Sequence, residues 1–368
     1  MLKAEIGTEI IYIIQIKVVD KIRRLYIDNL RWTVVLLLFP YHIFMIYNNF
    51  ESFYIHGAEI DGLSRILHAL WPWMMPVLFT IAGMSSAYAL QKRSGGAYLK
   101  ERVLKLLIPL LFGMLLIIPV QTYLAEMFHY GSANYWNYFA KVTDLTGYAG
   151  GFTPGHLWFI LYLFVISLLA LPFMLYHQKH RKRFDIQNVS LPLLLALFVV
   201  PLLMQLVLDI SGKSVGEYFT FFMLGYFVLS QESVLDKMER CRLPLMAIFI
   251  AGFILILATG TGIYEINSYL FDIIAGFYAW IAILAFIGMA RRHLNFQTKL
   301  TGYLSKSSFG VYLFHQSWIV VIAFFVFRIT QNVGLQIALI LLFSVPITFL
   351  TYNICKSIRI TRWIFGIK

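Results

Sequence analysis

Ten mostly apolar stretches follow one another from Leu30 to Cys355 with short polar segments between them, and this spacing limits the fold more than any other feature. A hydrocarbon core takes about 20 helical residues to cross, and inside it every backbone N–H and C=O must find its partner within the segment or in a closed barrel. The runs at 30–47, 66–90, 103–124, 156–176, 191–210, 218–230, 243–260, 269–289, 308–327 and 334–355 therefore predict an all-α, polytopic membrane protein with about ten transmembrane helices. The sixth run is short, with room to continue through Leu235. Apolar residues make up 60% of the 368 and charged residues 13%, which leaves too little polar surface for a water-soluble globule.

The basic residues set the expected orientation, because Lys and Arg collect in cytoplasmic loops. Of 30 Lys and Arg, 24 fall before Leu30, after Cys355 or in alternate loops; the opposite loops hold only Arg65, Lys141, Lys213 and Arg328, and Arg31 and Lys105 sit at span edges. Both termini are thus expected in the cytoplasm, with the chain in the plasma membrane, in contact with its lipids. The formal charge of +12 reads as this topology signal together with attraction to anionic lipid, and not as nucleic-acid binding.

Residues 1–24 form an N-terminal cytoplasmic or interfacial segment, and 25–368 a single membrane domain. The run TEIIYIIQIKVVDKIRR is too short to span and lacks a small-residue cleavage site, so an interfacial helix is expected in place of a signal peptide. Cys241 and Cys355 both fall on the expected inner side, where a disulfide does not persist, and neither has metal-ligand spacing; no metal is expected.

The stretch LRWTVVLLLFPYH, residues 30–42, carries two ionisable groups into an otherwise apolar helix. Eleven residues separate Arg31 from His42, so both lie on nearly one face, about 16 Å apart along the axis. Arg31 falls at the inner rim and His42 near mid-membrane. An ionisable group at that depth is costly unless it faces a polar cavity or a partner, which makes function the default reading, against a histidine merely bonded to a neighbouring helix beside the kink at Pro40. Neutral imidazole accepts a proton near pH 7, as a general base for a hydroxyl must.

RLYIDNLRWTVVLLLFPYH resembles the first-helix signature of the acyltransferase-3 family of integral membrane O-acyltransferases. PVLFTIAGM (76–84) is similar to the family's second helix, with Ala82 where serine is usual, and YLKERVLKLLIPLLFG (98–113) to its third, with Lys105 where arginine is commoner. HLWFILYLF (156–164) and SSFGVYLFHQ (307–316) resemble later segments in the same order. FPYHIFMIYNNF with the later HLWF is similar to the branch that includes a succinyltransferase acting on periplasmic glucans.

The resemblance implies a bacterial enzyme that moves an acetyl, succinyl or similar acyl group from cytoplasmic acyl-CoA (acetyl-CoA or succinyl-CoA) to a hydroxyl of an extracytoplasmic glycan or related envelope molecule. His42 would then be the general base, or itself become acylated in a relay, with Arg31 completing the catalytic pair. Arg31, Arg102 and Lys105 cluster at inner helix ends, where they can hold donor phosphates or serve only as the positive-inside collar. His156 and Trp158, with Trp71, Trp73 and Asp272, are candidates for the acceptor side, although tryptophans also mark any membrane interface. Tyr312 and His315, three apart on one helix face, either line the donor passage with Arg31 or pack in the core with a satisfied hydrogen bond, and Asp28 either orients the Arg31 guanidinium or forms a simple interfacial ion pair with it. His56, His68 and His129 read as solvated outer residues, and His177, His180 and His293 as members of basic inner loops. The rival classes are a transporter of an acyl or glycan substrate without bond chemistry, and a scaffold; no matched pair of broken helices supports the transporter.

Overall fold

A computed structural model describes residues 24–140, 152–180, 189–210, 212–260 and 268–367. The expected interfacial helix before Arg24, Lys141 and the basic residues Arg181, Lys182 and Arg183 lie outside the described residues. Helices make up the architecture, and no strand occurs among the described residues. In chain order the main elements are α1 (Leu25–Tyr47), α2 (Asp61–Leu90), α3 (Gly95–Tyr130), α4 (Gly155–Lys179), α5 (Leu191–Met204), α6 (Val215–Phe227), α7 (Glu232–Arg240), α8 (Arg242–Thr259), α9 (Ser268–His293), α10 (Lys299–Ile329), α11 (Val333–Ser357) and α12 (Arg359–Ile364).

Eight of these are long and apolar enough to cross a bilayer: α1 to α4 and α8 to α11. The other two expected spans differ from the expectation for local reasons. The fifth breaks into Leu191–Ala196 and Val199–Met204. Pro201 has no N–H to give the Leu197 carbonyl, which instead accepts from Val200 N at 3.2 Å, and the helix restarts there. The sixth starts at a Ser214 cap, whose Oγ accepts from Glu217 N, and stops at Phe227 without continuing through Leu235. The segment beyond is too charged for hydrocarbon and forms the separate amphipathic helix α7, whose Glu232, Asp236 and Glu239 surround Arg291 at the end of α9.

The third span opens with a π-helical turn, Val103–Leu107. In it Ile108 N donates to the Val103 carbonyl, and Pro109, just beyond, has no N–H to give the Lys105 carbonyl.

Helix α1 is central, packed against α2, α9, α10 and α11. Burial separates core from rim: 67% of the apolar window of α10 is buried, against 17% for α8, so α8 turns most of its surface to lipid. Helices α2 and α6 approach most closely at two glycines. A Cβ on Gly83 would lie 1.9 Å from the Phe222 carbonyl oxygen, and one on Gly225 would lie 2.1 Å from that of Thr80. Without a hydrophobic drive between helices in lipid, such small-residue contacts let backbones pack directly.

Candidate active site

Near its outer end α1 carries Pro40 and then His42, and finishes in a 3-10 turn, Met45–Tyr47. His42 lines a cavity whose empty space, with the open solvent at its mouth included, is about 810 Å³. Its wall has an aromatic side formed by Tyr41, Phe53, Trp71, Trp158, Tyr218 and Tyr312. Its polar groups are His42, His156, Glu51, Lys213 and Gln316. Glu51, Gly155 and Lys213 belong to segments expected on the outer side, so the cavity occupies the half of the molecule where an extracytoplasmic ligand would enter.

Three imidazoles meet at the base of this cavity. The ring centroid of His315 lies 5.1 Å from that of His42 and 5.2 Å from that of His156. A short turn delivers His156: Gly155 takes φ +52°, and a Cβ there would meet Tyr54 Oη at 2.7 Å, so only glycine fits. His156 follows in the first turn of α4, the helix start where the sequence places it, 5% exposed and on the cavity wall. Tyr312 Oη donates to the backbone carbonyl of His156, tying α10 to the start of α4. No group of three or more His, Cys, Asp or Glu among the described residues has the arrangement to hold a metal ion.

The basic residues lie at the other end. Arg31 donates to Asp28 Oδ1 at 2.8 Å and to Ser85 Oγ at 2.8 Å. Arg102 donates to the adjacent Ser86 Oγ at 3.3 Å and lies over the Tyr98 ring at 4.5 Å. The two arginines thus meet neighbouring positions of α2. Lys105 instead pairs with Glu101, which also takes Arg93.

Several expected roles change place. Tyr312 and His315 belong with His42 and not with Arg31, because α10 crosses α1 at the level of His42; Tyr312 lines the cavity while His315 is fully buried behind it. Asp272, half-buried near the outer start of α9, is not part of the cavity wall. Trp71 is on the wall, 39% exposed, whereas Trp73, 3% exposed, donates to the Ala69 carbonyl and packs on Phe286 as core. On α1 the lining begins at Leu38, so Arg31 lies about 10 Å further along the axis and does not line this cavity. Glu51, Tyr218 and Lys213 were not expected, coming from two loops and a helix far apart in sequence with no local spacing to mark them, and Gln316 closes the SSFGVYLFHQ segment beside His315.

The fold and this cavity define an integral, multi-pass membrane protein with a buried imidazole site. The chain belongs to the acyltransferase-3 family, whose model, described as an acyltransferase domain, matches residues 24–353. It is similar to glucans biosynthesis protein C of Escherichia coli O139:H28 (strain E24377A / ETEC) and of Escherichia coli (strain K12), each 24% identical over 375 residues, covering 94% of this chain and 95% of the relative. No solved structure matches it. The protein is therefore a membrane acyltransferase.

Proposed function

We propose that the protein transfers an acetyl, succinyl or similar acyl group from cytoplasmic acyl-CoA to a hydroxyl of an extracytoplasmic glycan, in the bacterial plasma membrane with both termini in the cytoplasm. One observation carries the reading: His42 stands open to an outer-side, aromatic-walled cavity while Arg31 sits three turns below it on the same helix. Aromatic faces suit sugar rings, and the names of the relatives point to a glucan.

The proposed chemistry balances with one base. His42 Nε2 takes the acceptor's hydroxyl proton as the oxygen attacks the thioester carbonyl. The C–O bond forms, the C–S bond breaks, and the leaving thiolate takes the proton back from His42, giving ester and free CoA. Arg31 and Arg102, with Lys105 nearby, would hold the donor phosphates, and the pantetheine arm would reach towards His42 along the face of α1 that Arg31 and His42 share. His156, Trp158 and Trp71 would hold the acceptor.

The test is release of free CoA from succinyl-CoA or acetyl-CoA, with and without a glucan oligosaccharide, by protein in proteoliposomes. His42→Ala and His42→Gln should express and fold normally, yet lose about 10² or more in turnover, since glutamine hydrogen-bonds but takes no proton at this pH. Near wild-type transfer by His42→Gln refutes the base role, and absence of CoA release from wild-type protein with either donor refutes the donor assignment.

A further inference from the structure

The three buried imidazoles differ in which nitrogen is engaged. His315 Nδ1 lies 2.7 Å from the Tyr312 carbonyl oxygen, and His156 Nε2 lies 3.0 Å from that of Leu313. A carbonyl only accepts, so each of those nitrogens carries the hydrogen, and in the neutral ring the opposite nitrogen keeps a bare lone pair. Those opposite nitrogens, His315 Nε2 and His156 Nδ1, are buried without a hydrogen-bond partner, and so is His42 Nδ1. An unmet polar atom at this depth is costly, and three of them at one place call for an explanation.

Position distinguishes His315 from His156. Both His42 and His156 line the cavity, whereas His315 is 0% exposed and does not line it, packed among Phe39, Tyr312 and His156. The centroid separation of 5.1 Å between His42 and His315 is one at which a single N–H···N bond of about 2.9 Å can join two imidazoles. A rotation of the His42 ring that aims its Nδ1 at the bare Nε2 of His315 would form that bond.

We propose that His315 is the positioning residue for His42: its Nε2 accepts a hydrogen bond from His42 Nδ1–H, which fixes the His42 tautomer and leaves His42 Nε2 as the lone pair facing the acceptor hydroxyl. The Tyr312 carbonyl, by holding His315 Nδ1–H, sets the direction of the whole chain: carbonyl, His315, His42, hydroxyl. When His42 takes the substrate proton, the charged ring keeps its bond to His315, so no new unmet donor is created. The role rests on the reading of His42 as base, and it is served by an acceptor alone; His315 makes no contact with substrate.

The experiment uses full-length protein in proteoliposomes with succinyl-CoA as donor. Asparagine at 315 can reproduce the bond from Nδ1 to the Tyr312 carbonyl but presents nothing at the Nε2 position; glutamine places an amide oxygen there. His315→Asn should lower kcat about 10- to 100-fold, as loss of a partner that orients a functional histidine does, with KM for succinyl-CoA changed less than about two-fold. His315→Gln should recover most of that loss. Equal loss in both variants, or wild-type kcat in His315→Asn, overturns the proposal. His42→Gln, run alongside, separates the two ideas: if it stays active the base reading falls and this role with it, and if it is inactive while His315→Asn is fully active only the role of His315 falls. Should either 315 variant fail to fold, solid-state NMR of wild-type protein labelled with 15N-histidine, with the His42→Gln sample assigning the signal, decides the matter: the Nδ1–H form of His42 coupled to His315 Nε2 supports it, and the Nε2–H form overturns it.

Discussion

Arg31→Ala separates donor binding from fold support. In the resting protein the guanidinium makes two hydrogen bonds, to Asp28 and Ser85, both 2.8 Å, and its side chain is 33% exposed. Exposure discounts the ion pair with Asp28 to roughly 0.2–1 kcal/mol, so removing Arg31 should cost the fold little. Donor binding is different in scale. A hydrogen bond to a charged group contributes about 1.5–3 kcal/mol, and at about 1.4 kcal/mol per tenfold the loss of one phosphate contact raises the apparent KM for acyl-CoA about 10- to 100-fold. Initial rates of CoA release, with succinyl-CoA and the glucan oligosaccharide varied in turn, measure this, and a melting curve in detergent checks the fold. The expected result is a large rise in KM for the donor, less than about threefold change for the acceptor, and a nearly unchanged melt. Equal rises for both substrates, or a collapsed melt, would refute the phosphate role and leave Arg31 as part of the positive inner rim.

Three further outcomes follow from particular contacts. Trp71→Ala should raise KM for the acceptor without affecting that for acyl-CoA, because the indole lies on the cavity wall, whereas Trp73→Ala should instead lower the melting temperature, since truncating a buried tryptophan costs about 3–5 kcal/mol; kinetics and melts of the pair check both. Gly83→Ala should destabilise by about 1–3 kcal/mol or more in a detergent unfolding assay, because its Cβ would meet the Phe222 carbonyl at 1.9 Å and the α2–α6 contact must open. With Cys241 and Cys355 replaced, a membrane-impermeant thiol probe on intact cells should mark Asn134→Cys, and Lys299→Cys only after the inner face is exposed; both side chains are exposed, and the reverse pattern would refute the topology.

The sequence by itself determined what one helix can carry. Length and hydropathy specify a span because the bilayer demands a continuous apolar helix, and the three-turn interval from Arg31 to His42 follows from helical geometry alone. The same local logic reads Asp28 as the partner of Arg31, three residues away on one face. It failed where local chemistry was finer than the apolar average: Pro201 breaks the fifth run, and the charged face of α7 stops the sixth from continuing. Which helices stand side by side is decided by packing between segments hundreds of residues apart, and only the tertiary structure decided it. The α10–α1 crossing moves Tyr312 and His315 from the expected donor end to His42, the left-handed turn at Gly155 buries His156 in the cavity wall, and Asp272 is left outside. Periodicity gives the face a side chain occupies on its own helix, but not the neighbour that face meets; in lipid that choice depends on close backbone fits such as Gly83 against Phe222, which leave no hydrophobic pattern in the sequence.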